Sequence, residues 1–311
     1  MEVVLAQPRG FCAGVTRAIE IVERALELHG APVYVYHEIV HNGHVVGDLR
    51  ARGAVFVEEI AAIPAGAVAV FSAHGVSNAV VRQARERGLR VIDATCPLVT
   101  KVHLQARKYA RGGRAIVVIG HPGHEEVVGT AGSVEGSAVY VVATPADVAA
   151  LPLGTAAPVA YVTQTTLSPD DTREVIAALT ARYPGIAGPE LEDICYATHN
   201  RQAAVRELAR EVELVLVVGA RNSSNSARLR EVALQAGVCA HLVEEAADID
   251  VRWLDGVRRV GITAGASTPE VLVRGVSNRL AALGADSVRT LPGPRERLRF
   301  RLPPLLASEA R

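Results

Sequence analysis

The 311-residue chain reads as an α/β protein of three pseudo-symmetric lobes, each with a mainly parallel sheet. Three observations predict this. Short runs of Val, Ile and Leu alternate with helical patterns along the whole length, as strand–helix–strand construction requires. Cys12, Cys96 and Cys195 recur at intervals of 84 and 99 residues, each after a short extended segment and each opening a helix-like one. Each third of the chain also holds two units in which an apolar strand runs into a polar turn. The lobes are expected at 1–95, 96–192 and 193–284, with a C-terminal strand at 285–303 returning to the edge of the first.

In the first third, Val15, Ala18, Ile19, Val22 and Leu26 keep helical spacing after Cys12, and Gly30 is placed to end that helix. Strand 33–36 leads into the turn His37 to Asn42, and strand 68–71 into Ser72 to Gly75. In the second third, Pro97 sits where a first helical residue is favoured, and Val99, Val102, Ala106 and Tyr109 continue the face. Strand 116–119 precedes Gly120 to Glu126, and strand 159–162 precedes Thr163 to Thr166. In the last third, Val205, Leu208 and Val212 keep the helical spacing less cleanly. Strand 214–218 precedes Gly219 to Ser226, and 260–262 precedes Thr263 to Ser267. Leu298 to Leu302 alternates apolar and basic residues and is expected as the returning strand. Ligands of open parallel sheets bind beyond the carboxyl ends of strands, where these polar turns fall. Three lobes facing one centre would gather six turns and three cysteines.

Lys plus Arg and Asp plus Glu both number 33, so no global field recruits nucleic acid or an anionic membrane. Aromatic residues make up 4%, too few for base-stacking platforms. The start, Met1-Glu2-Val3-Val4-Leu5, carries an acid where a signal peptide needs a base, and Pro8 and Gly10 interrupt any apolar run, so a cytoplasmic location is expected. The uncharged stretches between Glu59 and Arg82 and between Asp147 and Asp170 contain Pro, Gly and polar residues; they read as strands joined by turns, not membrane spans. With no export signal, the four cysteines point to reduced thiols or metal ligation rather than disulfides.

Three distant cysteines without a Cys-x-x-Cys pair fit poorly with structural zinc. They suit a cubane iron–sulfur cluster held at the centre of the three lobes, with one iron left open for substrate. Spacing alone leaves isolated buried thiols as the alternative, and Cys239, in a strand-like run without a polar turn, is assigned to that plain role. His37-Glu38-Ile39-Val40-His41 matches the zinc-protease motif in letters, but that motif needs a helix; a β-branched run before it and Asn42-Gly43 after it predict a strand ending in a turn. His41, His74 and His124 fall at equivalent places in the polar turns. Any one alone would read as structural; together they could hold a diphosphate with backbone N–H groups. Ser223-Ser224-Asn225 is an anion cradle or an ordinary helix cap. Glu126 is the carboxyl best placed to deliver protons if burial raises its pKa, or else a first-turn acid. Neither a Walker loop nor a Gly-x-Gly-x-x-Gly fingerprint occurs.

These residues stand in segments that closely resemble the 4-hydroxy-3-methylbut-2-enyl diphosphate reductases. The segments are Pro8 to Val15, His37 to Asn42, Ala73 to Ser77, Asp93 to Pro97, Gly120 to Glu126, Thr163 to Ser168, Ile194 to Thr198, Asn222 to Ser226 and Thr263 to Glu270, in the expected order over nearly the whole chain. The resemblance implies a [4Fe-4S] cluster on Cys12, Cys96 and Cys195, whose open iron meets the substrate hydroxyl. It implies that His41, His74, His124, Ser223, Ser224, Asn225 and Ser267 hold the diphosphate and that Glu126 with Thr165 relays protons. Electrons would come from ferredoxin or flavodoxin, and isopentenyl and dimethylallyl diphosphates would be the products of this last step of the non-mevalonate (MEP) isoprenoid route. His199 and Ala220 depart from residues frequent in the family, at positions that are not ligands. Two other classes compete: a non-redox iron–sulfur hydro-lyase, which would need no electron donor, and an iron–sulfur sensor without turnover, which would need no diphosphate cradle.

Overall fold

The computed structural model describes residues 1–189 and 193–307. Strands β1 (Glu2–Leu5), β2 (Val33–Tyr36), β3 (Ala54–Val57), β4 (Val68–Phe71), β5 (Arg90–Asp93), β6 (Ala115–Ile119), β7 (Val139–Val142), β8 (Val159–Thr163), β9 (Leu214–Val218), β10 (Cys239–Val243), β11 (Arg259–Ala264) and β12 (Ser287–Thr290) form three sheets. The helices are α1 (Ala13–His29), α2 (Gly43–Ala51), α3 (Asn78–Glu86), α4 (Pro97–Arg111), α5 (Glu125–Gly132), α6 (Pro145–Ala149), α7 (Pro169–Arg182), α8 (Tyr196–Ala209), α9 (Ser224–Gln235), α10 (Glu270–Ala282) and α11 (Pro304–Ala307). Every named strand pairing is parallel. The predicted α/β class with three mainly parallel sheets is what forms.

The chain separates into two compact units. One, formed by Met1–Val15, His41–Val45 and Tyr196–Leu298, holds the five-stranded sheet β10-β9-β11-β1-β12. Val3 and Val4 alternate to opposite faces, as the two-residue period of a strand dictates. Val4 packs with Val205 and Leu208 of α8 and Leu229 of α9, and Val3 with Val273, Val276 and Leu280 of α10. Burial on both faces explains why β9 is an unbroken apolar run, Leu214 to Val218.

The other unit, formed by Thr16–Val40, Val46–Cys195 and Arg299–Arg311, holds the sheets β3-β2-β4-β5 and β7-β6-β8. In the second of these, Val117 and Ile119 face Leu179 and Tyr183, while Ile116 and Val118 face Val102 and Ala106 of α4. Ala187 adds a single parallel bridge beside Ala160 of β8, a vestigial fourth strand.

The three sheets share one logic. Each has a point where the strand order reverses, between β9 and β11, β2 and β4, or β6 and β8, and a cysteine follows the segment beside the last of those strands: Cys12 after β1, Cys96 after β5, Cys195 after the Ala187 bridge. The helix that each of the latter two cysteines opens then packs on the next sheet, α4 on β6 and β8, and α8 on β11.

Two details of the sequence reading change. Strand β1 hydrogen-bonds β11 and β12, so the first residues of 1–95 belong to the sheet of the last third, and the strand that returns beside β1 is Ser287–Thr290. Leu298 to Leu302, expected as that strand, has no regular structure; β12 closes the pairing earlier, and the alternation of Leu298 and Leu302 with arginines finds no partner strand. In α1 the buried face is Val15, Ala18, Ile21, Val22 and Ala25, while Ile19 and Leu26 are half-buried. Gly30 ends the helix at φ +70°, a left-handed conformation that suits glycine, with its N–H on the Leu26 carbonyl at 3.0 Å.

Candidate active site

Each cysteine is anchored by its own backbone to a polar turn. In the larger unit the Cys96 N–H donates to the Ala73 carbonyl at 3.0 Å, one residue before His74, and the Cys195 N–H donates to the Thr165 carbonyl at 3.0 Å. In the five-stranded unit the Cys12 N–H donates to the Ala266 carbonyl at 3.2 Å, one residue before Ser267. All three cysteines lie outside any disulfide and are half-buried, and each residue immediately precedes the first residue of a helix. The Cys12 sulfur accepts the Val15 N–H at 3.5 Å, so the first turn of the helix holds it in place.

In the larger unit, Glu126 lies in the first turn of α5 and is 3% exposed. The Thr165 N–H donates to its Oε1 at 2.6 Å and the Thr165 hydroxyl to its Oε2 at 2.9 Å. Burial pushes the Glu126 carboxyl above the usual range, against the opposing pull of the Thr165 bonds and His74. His124 caps the same helix: its Nδ1 accepts the Glu126 N–H at 3.2 Å, which in the neutral ring assigns the proton to Nε2. The His74 and His124 rings stand edge to face at 6.0 Å. His37 to Asn42 contains no helix, and His37 itself has φ +60°, so the zinc-protease geometry is absent there. Lys101 Nζ lies 3.7 Å from Asp193 Oδ1, tying the second turn of the helix after Cys96 to the segment before Cys195. Burial raises the Asp193 carboxyl as well, opposed by the Thr163 N–H and Lys101.

In the five-stranded unit, Ser223 caps α9 by accepting the Ser226 N–H at 3.3 Å. Asn225 Oδ1 accepts the Ala266 N–H at 2.9 Å across the β9/β11 reversal, and the Ser267 hydroxyl donates to the His41 carbonyl at 2.9 Å. Asn225 is 5% exposed, and its Nδ2 is buried without a hydrogen-bond partner. A buried unpaired amide donor is costly unless a ligand meets it. The seat for α9 is close: a Cβ on Gly265 would stand 2.0 Å from Ser226 Oγ, and one on Gly219 2.2 Å from it. Of the sequence-derived candidates, then, His74, His124, Glu126, Thr165, Cys96 and Cys195 fall in one unit, and Cys12, His41, Ser223, Ser224, Asn225 and Ser267 in the other.

The family model described as LytB protein matches residues 3–281. The chain belongs to the LytB family. LytB relatives extend over its length: a 4-hydroxy-3-methylbut-2-enyl diphosphate reductase of Bordetella pertussis is 63% identical over 302 residues, covering 97% of this chain and 93% of that protein. One of the same name from Azotobacter vinelandii is 58% identical, covering 97% of both. Among solved structures, the E-1-hydroxy-2-methyl-but-2-enyl-4-diphosphate reductase of Plasmodium falciparum superposes with a TM-score of 0.92 at 35% identity, covering 98% of this chain and 96% of that one.

The LytB chain also uses residues that sequence reasoning missed. Glu125 Oε2 lies 2.7 Å from His74 Nδ1, orienting that ring. Arg201, fully buried, donates to the Gly10 carbonyl at 2.7 and 3.0 Å and pairs with Glu296 at 3.1 Å, bracing the turn before Cys12. Its spacing four and seven residues before Val205 and Leu208 puts an arginine on an apolar helix face, the signal that could have found it. Cys239, read as a buried thiol, is exposed at the end of β10, with its sulfur 3.5 Å from His241 Nε2; the two-residue period of the strand turns Ala240 inward instead. His199 is exposed, and Ala220 is buried directly after β9.

Proposed function

We propose that this chain reduces 4-hydroxy-3-methylbut-2-enyl diphosphate to isopentenyl and dimethylallyl diphosphate, the terminal reaction of the non-mevalonate isoprenoid route. In that reaction a C–O bond breaks and a C–H bond forms, two electrons and two protons enter, and water leaves. The names carried by relatives at up to 63% identity support the reading. The observation that carries it is local: a buried carboxyl with a raised pKa, held by Thr165, on the turn to which the Cys195 backbone is bonded.

Three cysteines outside any disulfide, at the heads of three helices, are the donor set that an iron–sulfur group takes. In our reading Cys12, Cys96 and Cys195 would together hold one [4Fe-4S] cluster. Bound by three thiolates, such a cluster supplies one open iron as Lewis acid and a store for single electrons. The protein's part is to bind and to move protons. The first-turn N–H groups of α9, the Ser223 and Ser224 hydroxyls, the orphaned Asn225 Nδ2 and Ser267 suit a diphosphate oxygen each. His41, His74 and the Nε2–H of His124 add donors without a large fixed charge. Glu126, whose neutral form burial favours, donates through its carboxyl, with the Thr165 hydroxyl as the relay partner, so that water and not hydroxide departs.

Electrons arrive one at a time from a ferredoxin or flavodoxin, and the work is done in the cytoplasm, where thiols stay reduced. No described helix is long and apolar enough to cross a membrane. The test is anaerobic purification with iron and sulfide analysis, then turnover of the allylic diphosphate with and without reduced methyl viologen. Iron–sulfur content with reductant-dependent product is expected. Product without reductant would favour a hydro-lyase, and tight cluster binding with no turnover a sensor.

A further inference from the structure

A groove of ≈ 580 Å³ lies beside the Cys96 segment in the larger unit. Thr95 and Pro97, the residues on either side of Cys96, are both in its wall, so its surface comes within one residue, about 3.8 Å between consecutive Cα atoms, of a proposed cluster ligand. Leu104, in the same wall, is 54% exposed. Arg17, Lys108 and Lys101, whose ammonium also lies 3.7 Å from Asp193 Oδ1, are in the groove's wall. The C-terminal tail, rich in arginine and unaccounted for by the active site, passes the same place: Arg17 Nε donates to the Arg301 carbonyl at 2.8 Å, and the Arg301 side chain is exposed. The one acid in the wall, Asp93, is turned to the backbone and hydroxyl of Thr95. The chain as a whole has no net charge, so this concentration of cations is local.

An exposed apolar side chain flanked by like charges has the make-up of a protein interface. We propose that this groove is the docking face for a small acidic one-electron carrier protein, delivering electrons through the Cys96 side of the cluster. The inference rests on the reductase reading above. Arg17 has a second part in it as a positioning residue, since its guanidinium also binds the Ala94 and Thr95 carbonyls at 3.3 and 3.1 Å and so holds the chain entering Cys96.

The test uses the cluster-loaded enzyme, a reduced plant-type ferredoxin as probe, and the variants Lys108→Glu, Leu104→Gln and Lys108→Arg, none of which touches the active site. Calorimetry reads ferredoxin binding, and stopped-flow reads cluster reduction. Lys108→Glu should slow reduction by ferredoxin about tenfold at low salt, with the difference shrinking as salt is raised. Leu104→Gln should weaken binding with little salt dependence, and Lys108→Arg should behave as wild type. Turnover driven by methyl viologen should be unchanged in all three. Unaltered ferredoxin binding and reduction in both Lys108→Glu and Leu104→Gln would overturn the assignment, as would displacement of ferredoxin from this face by RNA or anionic vesicles that bind it more tightly. Failure of the reductase reading looks different: wild type would then give no product even with viologen, while calorimetry would still decide whether ferredoxin binds through the groove.

Discussion

Replacing Glu126 by Gln separates the proton from everything else the residue does. The amide oxygen can keep the Thr165 N–H bond now made by Oε1 at 2.6 Å. The amide nitrogen would face the Thr165 hydroxyl, which now donates to Oε2 at 2.9 Å; a hydroxyl has lone pairs and can rotate to accept instead. Burial raises the carboxyl's pKa and so favours its neutral form, which the amide matches in charge. The fold should therefore lose no more than about 1 kcal/mol, one neutral hydrogen bond's worth. The amide, however, has no acidic proton, and a positioned general acid contributes about 10²- to 10⁴-fold, or about 3–5 kcal/mol of barrier. The assay is anaerobic turnover with methyl viologen, accompanied by iron analysis and EPR with and without the allylic diphosphate. Expected are wild-type iron content, a retained substrate-induced spectral change and turnover reduced by at least about a hundredfold. Turnover close to wild type would remove Glu126 from the proton path.

Single changes of Cys12, Cys96 and Cys195 to Ser should each lower bound iron sharply, whereas Cys239→Ser, exposed at the end of β10, should leave it unchanged; iron and sulfide analysis decides this. Arg201→Met should cost about 3 kcal/mol, because it strands Glu296 and the Gly10 carbonyl, and denaturant unfolding of the two proteins reads the difference. The raised carboxyl of Glu126 also makes a pH prediction. Its stabilising contribution is complete below the unfolded value of 4.5 and is lost as pH rises through the higher folded value. The Tm of wild type should therefore fall relative to Glu126→Gln as pH is raised from 4.5 upward, and a Tm difference flat across that range would show that Glu126 titrates alike folded and unfolded.

What the amino-acid order determined by itself was local. Strands Val33–Tyr36, Val68–Phe71 and Leu214–Val218 were legible to the residue, because an apolar run ending in Gly, His, Ser or Asn is bounded by chemistry within a few positions. The three helices that follow the cysteines, and the failure of His37 to His41 to be one, were legible for the same reason. Motif resemblance added the candidate residues, since it compares short segments one by one. Pairing over long separations was decided only by the tertiary structure. Strand β1 lies beside β11, some 257 residues away, because parallel partners need a crossover and any exposed edge of suitable length competes. Nothing near Arg201 announces Glu296, and only the family resemblance set Thr165 with Glu126, while their contact itself comes from the fold. The raised pKa of Glu126 is likewise a property of what surrounds it, since desolvation is set by neighbours that only folding supplies.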